Sequence, residues 1–121
     1  MLNLDTHVLV HALSGTVTER ETDLLANDTW SISAIVLWEI CKLVELGRLE
    51  LDLDDPEVER TLRRIHTWPL SLEVCRMSCE LALEGDPADR IIAATSVIHK
   101  IPLMTRDQNL RRSKRVPLAA R

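Results

Sequence analysis

Short apolar runs alternate with longer stretches of helical periodicity along the whole chain. A run of three to five apolar residues between turn-forming residues is typical of a buried strand, whereas apolar residues three and four apart indicate a helix. The short runs predict strands at residues 2–4, 30–33, 68–70, 101–105 and 116–119. The longer segments predict helices at residues 6–14, 19–26, 34–46, 56–67, 72–84 and 87–99.

The residues at the ends of these segments favour the same division. Thr18 followed by Glu21 has the form of a capping box, and Gly15 and Gly47 are suited to end helices. Several residues that favour the N-cap position precede a helical segment, two of them directly before a proline: Ser33, Asp55, Ser71 and Asp86.

The repeated order of strand and then helix predicts an α/β fold with a short, mainly parallel sheet flanked by helices. Parallel strands joined by right-handed crossovers place their carboxyl ends along one edge of the sheet. A chain of 121 residues is expected to form one domain, residues 1–121.

Composition and charge narrow the class of protein. Hydrophobic residues make up 45% and charged residues 28%, and no apolar run approaches the ~20 residues of a membrane span. The first residues lack the basic and apolar blocks of a signal peptide, so we expect a cytoplasmic protein. Residues 1–89 contain 7 Lys/Arg and 18 Asp/Glu, whereas residues 90–121 contain 8 and 1. That basic end could bind a polyanion beside an acidic site, although its charges could equally be solvated.

Four acidic residues lie where the chain leaves a strand or enters the following helix. Ligands of open parallel sheets bind beyond the carboxyl ends of the strands, so widely separated segments could deliver carboxylates to one crevice. Asp5 follows the first strand, Asp107 follows the strand at 101–105, and the other two lie early in helices: Glu39 and Asp89.

A cluster of carboxylates favours binding of a divalent cation. Like charges repel one another unless cations or protons neutralise them. Oxygen ligands suit Mg²⁺ or Mn²⁺, which retain several waters and bind through few carboxylates plus a substrate phosphate. Two such ions about 4 Å apart can stabilise the attacking and leaving oxygens of a phosphodiester displacement. The pattern therefore predicts metal-dependent phosphodiester chemistry.

Each acid also has a structural interpretation. Asp86 suits the N-cap before Pro87, and Asp89 would lie at the N3 position of the same helix, where an acid can return the capping contact. Asp5 could cap the first helix, and Asp107 alone is typical of a turn. Glu39 lies among apolar residues of a helix that we expect to be largely buried, where an unpaired carboxylate is unfavourable.

Taken together, four segments resemble PIN-domain proteins, in particular the VapC toxins of bacterial and archaeal toxin–antitoxin pairs. The stretches are LNLDTHVLVHAL at 2–13, SISAIVLWEI at 31–40, DPADRIIAATSVIHKIPLMTRD at 86–107 and RVPL at 115–118. Their order and spacing agree over essentially the whole chain. Many relatives carry a histidine or arginine just before the Asp-Pro-x-Asp-Arg motif, where this chain has Glu84 and Gly85.

The resemblance implies a PIN fold, a homodimer and an endoribonuclease that requires Mg²⁺ or Mn²⁺. It also implies a VapB-type antitoxin that occupies the cleft. The family's acids match the same four positions, Asp5, Glu39, Asp89 and Asp107. Residues expected to bind substrate or to support the acids are Thr105, Thr6, Asp86, Arg90 and Arg106. A solvated or structural role remains open for the two arginines.

Other functions are weaker alternatives. A PIN-type module could hold a partner without catalysis, and small α/β phosphatases and receivers also place an aspartate after a strand. However, Asp5-Thr6-His7 lacks the second acid of the phosphatases. His7 and His11 could form half a zinc site, but no third ligand is evident. Cys75 and Cys79 are interpreted as buried thiols, and the three tryptophans as core or interface residues.

Overall fold

The computed structural model describes residues 1–81 and 84–120. Within them the four strands are β1 (Leu2–Leu4), β2 (Trp30–Ser33), β3 (His66–Trp68) and β4 (Leu103–Met104). The helices are α1 (Thr6–Ser14), α2 (Glu19–Ala26), α3 (Ala34–Glu45), α4 (Pro56–Arg63), α5 (Leu72–Glu80), α6 (Pro87–His99) and α7 (Gln108–Arg112).

The strands form one sheet in the order β3-β2-β1-β4, and every neighbouring pair is parallel. Asn3 of β1 lies opposite Ser31 of β2 on one side and Leu103 of β4 on the other. Because the pairs are parallel, the carboxyl ends of all four strands meet at one edge of the sheet. The predicted α/β class and parallel sheet are confirmed.

Local sequence explains the first helices. The Asp5 carboxylate accepts from the backbone N–H of His7 at the start of α1, and Gly15 ends that helix with a φ of 70°. Thr18 and Glu21 form the predicted capping box at α2. Caps satisfy backbone donors that have no partner inside the helix, which explains why these boundaries could be predicted from sequence.

The middle of the chain departs from the prediction. The helix expected at 56–67 ends at Arg63, and the strand expected at 68–70 is β3, two residues earlier. Pairing of β3 with β2 replaces the last helical turn, because Thr67 lies in register with Ile32. Helix α5 ends at Glu80 instead of residue 84, and part of the predicted remainder, residues 82–83, lies outside the described residues.

The C-terminal quarter is also less regular than expected. The strand predicted at 101–105 is confined to Leu103–Met104, and the strand predicted at 116–119 is reduced to a single bridge between Leu103 and Leu118. Helix α7 was not predicted, because Asp107 was interpreted as a turn residue. Asp107 is instead its N-cap and accepts from the N–H of Leu110.

The core lies between the sheet and the helices that pack on it. Its fully buried side chains include Leu4 of β1, Ile32 of β2 and Ile92 of α6. The Asn3 side chain, also buried, donates to the backbone oxygen of Ile92 and to Ser96 Oγ, which joins β1 to α6. None of the described helices is long and apolar enough to cross a membrane.

The environment of the cysteines differs from the predicted one. Cys75 is half-buried and Cys79 is exposed, so the interpretation of both as buried thiols was wrong. Among the tryptophans, Trp38 is 56% exposed on α3. Trp30 is partly buried and donates to the backbone oxygen of Leu25, and Trp68 stacks on His99 with ring centroids 4.0 Å apart.

Candidate active site

Asp5 lies at the carboxyl end of β1, and both of its carboxylate oxygens have hydrogen-bond donors. Its side chain accepts from the N–H of His7 at 2.9 Å and from Thr105 Oγ1 at 2.5 Å. The residue is only 3% exposed. Each oxygen retains a second lone pair, because an ionised carboxylate offers about four acceptor sites. Asp5 is therefore fixed in orientation and still able to bind a cation.

Thr105 joins Asp5 to the acid that follows β4. Its hydroxyl donates to Asp5 and accepts from the backbone N–H of Asp107 at 3.0 Å. One Asp107 oxygen in turn caps α7 through the N–H of Leu110. Residues one hundred positions apart in sequence thus share a continuous hydrogen-bonded chain at one edge of the sheet.

Glu39 approaches this edge from α3. Its Oε1 accepts from Thr6 Oγ1 at 2.5 Å, which ties it to the first residue of α1. The expectation of a largely buried helix was too strong: Val36 and Ile40 are buried, but Trp38 is exposed and Glu39 is half-buried. The glutamate has the partner that its burial requires, and that partner is a threonine hydroxyl.

Asp86 and Asp89 occupy the start of α6. The Asp86 side chain is the N-cap and accepts from the N–H of Ala88 at 2.9 Å, as predicted. Asp89 does not return a capping contact of the kind seen at α2. Within residues 1–81 and 84–120 its carboxylate has no hydrogen-bond partner. The half-buried Asp89 is therefore left unsatisfied by the described part of the chain.

The electrostatics show that these acids influence one another. The pKa of Asp89 is raised to about 7, mainly by burial and in addition by the neighbouring negative charges of Asp5, Asp107, Asp86 and Glu39. The pKa of Glu39 is also raised, mainly by burial and then by Asp86 and Asp5, against the lowering effect of the Thr6 hydroxyl. Uncompensated negative charge of this kind favours binding of a cation.

The acidic side chains at this edge suit a hard divalent cation that keeps part of its water shell. All the acidic donors are carboxylate oxygens, the ligand type preferred by Mg²⁺ and Mn²⁺. Across the described ranges, no three Asp, Glu, His or Cys side chains are arranged to enclose an ion. This spacing fits an ion that retains several waters and uses one or two carboxylates, which is the usual mode for Mg²⁺.

The arginines near the acids differ from each other. Arg106 forms two hydrogen bonds with Glu21, Nε to Oε2 at 2.8 Å and Nη2 to Oε1 at 2.5 Å. This contact lowers the pKa of Glu21 to about 2, and Glu21 raises that of Arg106. The sequence identified Glu21 only as a cap, because no local pattern links it to residue 106. Arg90 is half-buried and has no polar partner among the described residues.

The two histidines of α1 do not form a zinc site with other described side chains. His7 is exposed, and its charge favours ionisation of Glu39 by lowering the pKa of that carboxyl. His11 instead shares a 2.6 Å hydrogen bond with Thr16 Oγ1 near the end of the helix. His7 thus lies beside the acidic edge, whereas His11 contacts the loop after α1.

Comparison with known proteins identifies relatives over most of the chain. The PIN domain family model matches residues 3–116. Ribonuclease VapC22 of Mycobacterium tuberculosis (strain ATCC 25618 / H37Rv) is 30% identical over 87 residues, which cover 69% of this chain and 67% of that protein.

Solved structures share the fold over nearly the full length. A toxin–antitoxin complex from Klebsiella pneumoniae superposes with a TM-score of 0.74 at 18% identity, covering 98% of each chain. VapBC2 from Rickettsia felis, bound to a DNA fragment from their promoter, gives 0.71 at 21% identity, covering 98% of this chain and 97% of that one. FitAcB from Neisseria gonorrhoeae gives 0.67 at 23% identity, with coverage of 98% and 96%.

Proposed function

The chain belongs to the PIN domain family, as a ribonuclease of the VapC toxin type, and from that premise we propose how it acts. It is an endoribonuclease that hydrolyses RNA phosphodiester bonds at the carboxyl edge of its sheet. The catalytic and metal-binding residues are Asp5, Glu39, Asp89 and Asp107. The whole chain, residues 1–121, serves as one PIN domain.

The observation that carries this proposal is the convergence of carboxylates from remote segments. Thr105 hydrogen-bonds Asp5 across one hundred positions of sequence, and Thr6 hydrogen-bonds Glu39 across 33. Asp89 experiences the charges of both acids. A purely structural set of helix caps would not need to meet at one place, whereas phosphodiester hydrolysis requires it.

The protein groups have separable roles. Asp5, Glu39, Asp89 and Asp107 would hold Mg²⁺, or Mn²⁺ in its place, directly or through water. When bound, the ion stabilises negative charge on the reacting phosphate and makes a water more acidic. Thr105 and Thr6 are positioning residues, since each hydroxyl fixes one carboxylate. Asp86 orients the start of α6, and thereby Asp89.

RNA is a polyanion, so its binding beside the acidic edge requires cationic side chains nearby. Arg90, which adjoins Asp89 and has no described partner, is suited to contact an RNA phosphate. Arg106 is less available, because Glu21 already occupies two of its donors. Its role is to stabilise the junction between α2 and the segment after β4.

The biological setting follows from the same family. We propose that a VapB-type antitoxin binds the chain, in keeping with the toxin–antitoxin complexes that share its fold. The toxin is expected to act as a homodimer. An RNA substrate and an antitoxin partner imply action in the cytoplasm.

Purified protein assayed on RNA tests this function. Cleavage is expected with Mg²⁺ or Mn²⁺ and should stop on addition of EDTA. Asp5→Asn should reduce the rate by about 100-fold or more, because the negative charge and one of the two acceptor oxygens are lost at a ligand position.

A matched control is Glu59→Gln on α4, which removes an acid that is exposed and paired with Arg63. It should cleave at the normal rate. Cleavage that survives EDTA, or equal activity of Asp5→Asn and Glu59→Gln, would contradict the mechanism. Absence of cleavage by the intact protein under all these conditions would favour a non-catalytic module.

A further inference from the structure

A cavity of about 290 Å³ lies beside the acidic edge, between α2, β4 and α7. It shares Thr105 with the candidate active site but is lined by none of the four acids assigned to catalysis. Residues 119–120 close its side near the C-terminal end of the described chain. The cavity is thus adjacent to the site of cleavage but separate from the carboxylates.

The charge of this cavity is opposite to that of the acidic edge. Arg20 on α2 is exposed and has no polar partner in the part of the chain that the structure describes. Arg111 directs its guanidinium to two backbone oxygens, those of Thr105 at 3.2 Å and Ala120 at 2.7 Å, so its charge meets no carboxylate there. Arg106 is neutralised by Glu21. Within residues 1–81 and 84–120, the charges of Arg20 and Arg111 therefore have no carboxylate partner.

The rest of the lining is mixed, with polar side chains such as Thr18 and Gln108 beside apolar ones. Leu24, Leu103 and Ala119 contribute to the wall, and Leu103 is fully buried behind it. Apolar surface beside cationic side chains suits a ligand with a flat, weakly polar part and a negative part. A nucleotide has both, in its base and its phosphate.

We propose that this cavity binds the nucleotide adjoining the scissile phosphodiester of a single-stranded RNA. Its phosphate would contact Arg20 and Arg111, and its base would pack on Leu24 and Ala119. The inference rests on the proposed ribonuclease function. The volume lies at the lower end of small-molecule pockets, roughly 300–1,000 Å³, so one nucleotide fits better than a longer segment.

Arg20 is the residue through which to test this idea. Arg111 holds the backbone near Thr105 and Ala120, so its removal could disturb folding. Arg20→Ala removes an exposed side chain from a helix without breaking any described contact. The matched control is Arg64→Ala, another exposed arginine, which lies near Met1 and Thr29 at the opposite edge of the sheet.

Binding of fluorescent single-stranded RNA is measured first, in Mg²⁺ and with Asp5→Asn as the background so that cleavage is suppressed. Arg20→Ala should raise the Kd about tenfold, as expected for loss of a charge-assisted hydrogen bond. It should also reduce the slope of log Kd against log salt by about 0.7, the contribution of one phosphate contact in a single strand. Arg64→Ala should change neither quantity.

RNA length supplies the second comparison. The oligonucleotide is shortened one nucleotide at a time from each end. Once the nucleotide that occupies the cavity is removed, Arg20→Ala and the unsubstituted background should bind equally well. With active protein, Arg20→Ala should raise KM and leave kcat nearly unchanged on the full-length RNA.

The outcomes separate the two proposals. If the intact chain cleaves RNA but Arg20→Ala binds and cleaves like Arg64→Ala, the cavity is not an RNA subsite, although the ribonuclease function stands. The inference is equally overturned if Arg20→Ala weakens only antitoxin binding. If RNA binding depends on Arg20 and on length but no cleavage occurs, the proposed activity fails and the binding site remains.

Discussion

The carboxyl edge of the sheet and helix α4 both contain several acidic residues, but these acids differ in their exposure and in their partners. On α4 each first-turn glutamate meets an arginine, Glu57 with Arg60 at 2.5 Å and Glu59 with Arg63 at 2.6 Å. All four side chains are more than half exposed. At the sheet edge the acids are buried or half-buried, and their hydrogen-bond donors are uncharged threonine hydroxyls and backbone N–H groups.

This difference separates solvated charge from charge that needs a ligand. Exposed ion pairs contribute little to stability, because water screens them and side-chain order opposes them. Clustered carboxylates with reduced solvation repel one another, and their protonated forms become favoured, as the raised pKa values of Asp89 and Glu39 show. Whether a group of acidic residues binds a ligand is therefore better indicated by their burial and their hydrogen-bond partners than by their number.

The largest expected difference in RNA cleavage is between substitutions of two N-cap aspartates, one at the acidic edge and one on α4. Asp107 caps α7 at the acidic edge, whereas Asp55 caps α4. Asparagine caps helices about as well as aspartate, so both Asp→Asn variants should fold normally. Asp107→Asn should lower RNA cleavage by about 100-fold, and Asp55→Asn should not. Equal activities in a kinetic assay would show that Asp107 is only a cap.

Two threonines give the next comparison. Thr105→Val leaves a buried Asp5 oxygen without its donor, which should destabilise the protein by about 1–3 kcal/mol and lower cleavage about tenfold. Thr61→Val removes a hydroxyl that bonds the Glu57 backbone oxygen within α4, and should change stability by less than about 0.5 kcal/mol. Urea denaturation and initial rates measure both. Similar losses in the two variants would be inconsistent with a special role for Thr105.

Titration of Asp89 should make the stability of the protein depend on pH. Its pKa rises from 3.8 to about 7 on folding, so the folded state binds more protons between these values. Stability without divalent cation should fall as pH increases from about 4 to about 7 and then level off. Because the group is half-buried and screened, we expect a loss of about 1–2 kcal/mol. In Asp89→Asn the loss should be smaller, as followed by denaturation at each pH.

The smallest effect is expected on α4 itself. Glu59→Gln breaks the exposed ion pair with Arg63 and should reduce the free energy of unfolding by no more than about 0.5 kcal/mol. Its pH dependence should match that of the unsubstituted protein. A loss above about 1 kcal/mol would mean that the paired charges of α4 matter far more than exposed pairs usually do.

Local patterns were sufficient to predict the N-terminal half of the fold. The bounds of β1, α1, α2 and β2 follow from caps and short apolar runs, since Asp5, Thr18 and Ser33 each satisfy a nearby backbone donor. The end of α4 was missed because pairing between β3 and β2 is non-local. Helix α7 was missed although its Asp107 cap is visible in sequence, because five residues give little periodicity.

In the candidate site, too, features set by local sequence could be predicted, whereas contacts made by tertiary packing could not. Strand ends and family motifs indicated which acids approach one edge, and the structure brings Asp5, Glu39 and Asp107 within electrostatic reach of Asp89. The hydrogen bond from Thr6 to Glu39 and the ion pair between Glu21 and Arg106 depend on tertiary packing across 33 and 85 positions. No periodicity encodes such contacts, so they could not be read from the sequence.

Thermal denaturation of Asp89→Asn with and without Mn²⁺ tests the central claim most directly. If Asp89 belongs to a repulsive set of cation ligands, the variant should melt about 3–6 °C higher than the unsubstituted protein in the absence of divalent ions. Added Mn²⁺ should raise the melting temperature of the variant little, whereas it should raise that of the unsubstituted protein substantially. A lower melting temperature of the variant without cation, together with an undiminished response to Mn²⁺, would contradict the account.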